Sequence, residues 1–180
     1  MGEILFKVTL ILGLLAGGAM YDVRYHKIPN WWILSGVLLG AGLMWWLEAA
    51  ETKDWWPVIW FFVRCFLVVM VFFPLFYCRM IGAGDIKLMA LICGYLGLSY
   101  GGIAILYGFL LGAILSLTKL LVQKSLLRRL QYLYAYCKRL ILTKEVTPYH
   151  NPGRDGYEHT IPMGLCLFLG TLFYTIWIKN

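Results

Sequence analysis

The chain has 180 residues, of which 61% are hydrophobic and only 14% are charged. This composition is too apolar for a soluble globular domain, so it excludes that class and indicates a membrane protein. Sixteen Lys and Arg outnumber nine Asp and Glu. In a membrane protein such an excess is typical of cytoplasmic loops that face anionic lipid headgroups, so we expect lipid rather than nucleic acid as the partner of these charges.

Hydropathy predicts six membrane-spanning helices, because roughly 17–25 apolar residues cross a bilayer as a helix. The six stretches cover residues 4–20, 31–47, 56–77, 86–98, 101–122 and 161–178. The fourth is short and begins directly after a pair of glycines, so we expect non-helical chain near Asp85 to reach membrane depth. The expected fold class is all-α, with a single polytopic transmembrane domain over residues 1–180.

Loop charges predict the orientation of these helices. The first and third loops contain basic residues, and the fifth loop, residues 123–160, contains seven of them. The second loop is mainly acidic, and the fourth, around Ser99 and Tyr100, has no charge. By the positive-inside rule the odd-numbered loops are cytoplasmic and both termini face outward. Within the fifth loop, residues 125–142 alternate basic and apolar side chains at helical spacing, which predicts an amphipathic helix on the inner membrane surface.

The five cysteines are isolated from one another along the chain. The sequence contains neither a CxxC pair nor a cluster of His and Cys. We therefore expect no disulfide scaffold, no metal site and no cofactor, and we interpret each cysteine as a small buried apolar side chain.

Two aspartates lie beside predicted cytoplasmic span ends: Asp22 follows the first span, and Asp85 precedes the fourth. Carboxylates at such a depth are costly unless they have partners or a function. If folding brings them together, one stays protonated while the other acts as a base, which is the arrangement of aspartic proteases. The alternative is that each forms an ordinary ion pair with a basic residue close by in sequence: Arg24 or Lys27 for the first, and Lys87 for the second.

The residues around the two aspartates suit a catalytic pair. Gly82 and Gly84 allow an extended substrate strand to approach the backbone closely. Asp85 would begin a helix, where the helix dipole favours a negative group. Pro29 fixes the turn after the first span, and Asn30 is the expected N-cap of the second helix.

Together these motifs resemble the signature of the prepilin peptidases, or type IV leader peptidases, which are GxGD-type intramembrane aspartic proteases. The first motif is Asp22 with the following Ile28, Pro29 and Asn30; the second is Gly82, Gly84 and Asp85 with the following Lys87. In that family the first aspartate follows a transmembrane helix and the second closes the GxGD motif. Pro162, with Gly164, is similar to a proline-glycine element that begins the last span in the family.

The resemblance implies an activity and a set of site residues. Asp22 and Asp85 would be catalytic, and the residues that surround them in the two motifs, with Pro162, would support them or bind substrate. The substrates would be single-span precursors of type IV pili and related secretion systems, cleaved after a short basic leader at the cytoplasmic face. Larger members have paired CxxC motifs between the first two spans, associated with N-methylation. This chain has a loop of about ten residues there without cysteine, so we expect no methyltransferase activity.

Two functions of other classes stay open. A small transporter or proton-handling subunit could use Asp22 and Asp85 to bind a cation or relay protons. The sequence lacks the paired broken helices with repeat symmetry that are typical of such proteins. A non-catalytic scaffold of a pilus assembly machine would tolerate asparagine at both positions. Because coupled carboxylates titrate as a pair, the sequence does not assign the general base, and it does not predict an oligomeric state.

Overall fold

The computed structural model describes residues 2–25, 27–49, 53–78, 80–122 and 162–179. All regular structure in these ranges is helical, which confirms the predicted all-α polytopic fold class. The α-helices are α1 (Gly2–Tyr25), α2 (Asn30–Met44), α3 (Trp56–Tyr77), α4 (Ala83–Leu96), α5 (Leu98–Val122) and α6 (Met163–Lys179). A π-helical segment, Trp45–Ala49, continues α2. The amphipathic helix predicted at residues 125–142 lies outside the described residues, as does nearly all of the fifth loop.

The helices expose a large apolar surface, as expected for a protein surrounded by lipid. Four helical stretches are long and apolar enough to cross a membrane: Phe6–Tyr25, Asn30–Leu47, Trp56–Tyr77 and Leu98–Lys119. A shorter apolar stretch, Met163–Ile176, lies in α6. In α3 only Phe61 and Val68 are buried, whereas Phe66 is 62% exposed and Val71 is 68% exposed. Apolar surface of this extent cannot face water and must be covered by lipid.

The short helix α4 forms the centre of the bundle and contacts α1, α2, α3, α5 and α6. After Asp85 and Lys87 the helix is apolar on all sides, and from Leu88 to Tyr95 every residue is buried. A helix that is hydrophobic all round is expected in such an interior position. Its 14 residues measure about 21 Å, less than the roughly 30 Å of a bilayer core.

Hydrogen bonds from side chains to backbone carbonyls join α4 and α2 to their neighbours. The Tyr95 hydroxyl donates to the carbonyl of Gly36 at 2.8 Å, and Cys65 Sγ donates to that of Ala90 at 3.3 Å. In the same way Trp32 Nε1 donates to the carbonyl of Leu14 at 3.0 Å. Such contacts between helices are favourable in a membrane, where water does not compete for the same groups.

The structure corrects two helix boundaries predicted from the sequence: the end of α1 and the start of α2. The first helix runs to Tyr25, so Asp22 lies inside its last turn rather than in a loop. The N-cap of α2 is Pro29, whose carbonyl accepts from Trp32 N at 3.1 Å, and among the described residues no side chain caps this helix. The prediction that Asn30 is the N-cap is therefore wrong. Pro29 suits the position because its fixed φ, here −67°, leads directly into a helix.

The boundaries of α4 also differ from expectation. The helix begins at Ala83, so Asp85 is helical and the non-helical chain before it ends at Gly82. The helix ends at Gly97, whose φ of 85° and ψ of 165° lie in a region of backbone conformation that is open essentially only to glycine. Next, α5 starts at Leu98, so Ser99 and Tyr100 are helical and not the predicted loop.

Candidate active site

Asp22 is held by the start of a helix distant in sequence. The backbone N–H of Gly164 donates to Asp22 Oδ2 at 2.7 Å. Gly164 is the second residue of α6, and a backbone N–H in the first turn of a helix has no partner within its own helix. The hydrogen bond therefore gives this free N–H an acceptor and joins the last turn of α1 to the first turn of α6.

Asp85 lies in the first turn of α4, three residues after the N-cap residue Gly82. Its carboxyl group folds back and accepts a hydrogen bond from the Gly82 backbone N–H, which is the contact that an acidic residue at this position makes in a capping box. A Cβ on Gly82 would lie only 3.0 Å from Asp85 Oδ2. The sequence GxGD thus places its carboxylate over its own first glycine, and a larger residue there would push the carboxylate away.

The two carboxyl groups are close enough to influence each other's charge. Asp85 is the last residue before the fourth predicted span, which begins at residue 86. Burial and then the neighbouring charge of Asp22 raise the pKa of Asp85 from 3.8 to about 7, against the opposing effect of the Gly82 hydrogen bond. Like charges that share a site resist double ionisation. The structure therefore brings Asp22 and Asp85 close enough together for the charge of Asp22 to raise the pKa of Asp85.

Cys166 belongs to the same cluster. It is fully buried on α6, and its thiol interacts electrostatically with both Asp22 and Asp85. Its burial agrees with the sequence-based interpretation, but its position beside the carboxylates was not predicted. An isolated cysteine in an apolar run contains no signal for such a neighbourhood.

The turn between α1 and α2 packs against the start of α4 through the other predicted motif residues. A Cβ on Gly84 would lie 3.2 Å from both Cβ and Cδ1 of Ile28. Lys87 Nζ donates to Asn30 Oδ1 at 2.8 Å. The predicted alternative, an ion pair between Lys87 and Asp85, is thus replaced by a contact that joins α4 to α2. The structure shows packing roles for both motif glycines, while the substrate-approach role stays a prediction.

The two motif prolines act at helix starts. Pro29 is the N-cap of α2, and the carbonyl of Pro162 accepts from Cys166 N at 3.3 Å at the start of α6. Pro162 thereby sets the position of the following Gly164. Among the residues that the structure describes, no group of three or more His, Cys, Asp or Glu could hold a metal ion.

These features define a class: a polytopic helical membrane protein with a carboxylate pair where the ends of three helices meet. The model of the type IV leader peptidase family matches residues 8–117, which is more than half of the chain and includes both aspartates. The chain belongs to this family, and it is a membrane peptidase. The suspected resemblance is thereby confirmed. No curated protein matches the chain, and no solved structure matches it.

Proposed function

We propose that this peptidase is an aspartic endopeptidase that removes the short basic leader from type IV pilin-like precursors, with Asp22 and Asp85 as its catalytic pair. The observation that supports the proposal most directly is the raised pKa of Asp85 beside Asp22. A carboxyl group with a pKa raised in this way can serve as the proton donor of a pair, and acid-base catalysis by two carboxyl groups requires one protonated and one ionised member. The family match includes both residues.

The proposed reaction needs only the pair and a water molecule. The ionised carboxylate takes a proton from water while the water oxygen bonds to the scissile carbonyl carbon, and the protonated carboxyl gives its proton to the carbonyl oxygen. The resulting gem-diol then collapses: the C–N bond breaks, the leaving amine takes the proton first removed from water, and a gem-diol hydroxyl returns its proton to the other carboxyl. The pair ends with one proton, as it began.

The surroundings of Asp85 support access by an extended strand. Gly82 and Ala83 are exposed, while Gly84 and Asp85 are only partly buried. A precursor lying in the bilayer could present its unwound cleavage site to this side of the pair. We place the site at the cytoplasmic face, with both termini outside, because the loop charges follow the positive-inside rule. Lipid headgroups at that face would neutralise the basic loops.

The test is co-expression with a panel of pilin-like precursors and measurement of the product mass. We expect the wild type to remove the leader, and Asp22→Asn and Asp85→Asn each to reduce cleavage at least about 1000-fold, as expected when a group central to the chemistry is lost. Asp54→Asn is the matched control, because Asp54 is exposed in the turn before α3 and accepts an exposed hydrogen bond from Trp56 N at 3.3 Å. It should cleave as the wild type does.

Each result has a defined meaning. Cleavage by both aspartate variants at wild-type rate would show that the catalytic assignment is wrong. If the wild type cleaves no precursor but its expression changes ion or proton flux in an Asp22-dependent way, the ion-handling alternative is favoured. A product mass without an added methyl group is expected, because the loop between α1 and α2 has no cysteine; a methylated product would contradict the proposed absence of methyltransferase activity.

A further inference from the structure

The two carboxyl groups of the pair have different surroundings. Asp85 is at the favourable, N-terminal end of its own helix, yet burial and the charge of Asp22 raise its pKa to about 7. Asp22 is in the last turn of α1, where the helix dipole opposes a negative charge. An ionised carboxylate at that position therefore needs a donor from another element.

Helix α6 supplies that donor. The distance of 2.7 Å from Gly164 N to Asp22 Oδ2 is within the range of charge-assisted hydrogen bonds, which are stronger than those between neutral groups. The positive end of the α6 dipole also points toward this carboxylate. Among the described residues, Asp85 of α4 and Cys166 of α6 interact electrostatically with Asp22. Neither of these two groups favours a negative charge on Asp22, whereas the backbone N–H of Gly164 does.

The fit around Gly164 is tight. A Cβ at this position would lie 3.1 Å from Oδ2, 3.2 Å from Cβ and 3.4 Å from Cγ of Asp22. An alanine there would displace the carboxylate by a few tenths of an ångström or tilt the first turn of α6. Only glycine lets the N–H and the carboxylate meet at 2.7 Å without this displacement.

We propose that Gly164 is a positioning residue whose backbone N–H holds Asp22 in its ionised form, so that Asp22 is the general base and Asp85 supplies the proton to the scissile carbonyl. The assignment of roles rests on the proposed aspartic mechanism. The hydrogen bond itself and its effect on the charge of Asp22 do not depend on that mechanism. They are therefore tested first, without any substrate.

The substrate-free test follows the two carboxyl groups by NMR with carboxyl-labelled aspartate, in a background in which Asp54 and Asp155 are replaced by asparagine. The Gly164 N–H is removed by exchanging its amide for an ester, with glycolic acid incorporated at position 164 during cell-free translation. With Asp85→Asn, the remaining Asp22 signal should titrate at a midpoint higher by about one pH unit in the ester protein, as expected for one charge-assisted hydrogen bond. With Asp22→Asn, the remaining Asp85 signal should not move.

An unchanged Asp22 midpoint would overturn the proposal, and so would an equal shift of both signals, because that would indicate a general rearrangement. These results are independent of cleavage. They therefore separate a failure of this inference from a failure of the proposed function, which is decided by wild-type cleavage of the precursors.

The second test is the pH profile of cleavage by Gly164→Ala. We expect a lower rate and an acidic limb displaced to higher pH, because the displaced carboxylate holds its proton more tightly. Gly112→Ala is the control: Gly112 lies in the same region, but a Cβ there would make only ordinary contacts with Met163 Sδ at 3.5 Å and Cys166 Sγ at 3.7 Å. It should keep the wild-type profile. A Gly164→Ala enzyme with the wild-type acidic limb would contradict the assignment of Asp22 as the base.

Discussion

The Asp85 carboxyl makes the stability of the folded protein depend on pH. Its pKa rises from 3.8 in an ordinary environment to about 7 in the folded protein, through burial and the charge of Asp22. The folded protein thus binds this proton more tightly than the unfolded chain does. The resulting stabilisation is fully present below about pH 4 and is lost as the pH rises through about 7.

This linkage predicts the behaviour of Asp85→Asn, whose side chain cannot ionise. The variant should become more stable relative to the wild type as the pH rises from about 4 to about 7, with a total change on the order of a few kcal/mol. The measurement is the thermal unfolding midpoint in detergent across that pH range. A difference between Asp85→Asn and the wild type that stays constant across this pH range would show that the pKa of Asp85 is not raised by folding.

The same residues show how far the sequence predicts the site. Asp22 and Asp85 were identified because carboxylates at span ends are unusual and because each belongs to a recognisable local motif. Cys166 was not predicted as a member of the cluster, and Gly164 was named only as part of the proline-glycine element of the last span, without a contact to Asp22. The hydrogen bond between Gly164 and Asp22 joins residues 142 positions apart, and a backbone N–H has no residue-specific signature. Contacts of this kind depend on how α6 packs against α1, which hydropathy does not determine.

At the scale of the helices, α5 and α6 approach each other through glycines. A Cβ on Gly170 would collide with the backbone N of Gly108 and would lie 2.6 Å from its Cα and 2.8 Å from the carbonyl carbon of Tyr107. Small residues that let backbones approach are a common basis of helix packing in membranes. Gly108 is thus a packing residue at this crossing, whereas a Cβ on Gly102 would meet no atom of the described residues within 4 Å.

Gly170→Ala should therefore be destabilising, because backbone atoms rather than a flexible side chain obstruct the added methyl group. We expect a cost of about 1–3 kcal/mol, measured as a lower thermal midpoint in detergent. Gly13→Ala is the matched control in α1, because no atom in the described part of the chain lies within 4 Å of the added carbon. It should be neutral or stabilising, since alanine favours a helix over glycine by about 1 kcal/mol. Equal midpoints for the two variants would mean that α5 and α6 are not in close contact.

Helix boundaries were predicted less well than helix positions, and the reasons are local. The polar stretch around Asp22 lacks the apolar character by which spans are recognised, yet its backbone continues the hydrogen bonding of α1 to Tyr25. Likewise Asn30 has a side chain suited to capping, but Pro29 occupies the cap and Asn30 accepts from Lys87 instead. Hydropathy indicates where lipid surrounds a helix, but it does not predict the polar turns by which the helix continues beyond that region.

At the scale of the whole molecule, the orientation in the membrane decides which compartment the carboxylate pair serves. The positive-inside rule predicts both termini outside. Protease added to intact cells should remove epitope tags from either terminus and leave intact a tag inserted in the loop at residues 147–158; after permeabilisation it should remove all three. Removal of the loop tag from intact cells would reverse the orientation and place the pair on the opposite side.

The length of α4 has a consequence for the supply of water, which the proposed hydrolysis consumes. If the C-terminal end of this 14-residue helix reaches the outer interface, its N-terminal end stops roughly 9 Å short of the inner one, given a rise of 1.5 Å per residue and a hydrocarbon core of about 30 Å. The last turn of α1 and the first turn of α6 meet Asp85 near that level, so the whole carboxylate pair would lie below the membrane surface. The proposed hydrolysis would then depend on water reaching this depth from the side that the loop charges predict to be cytoplasmic.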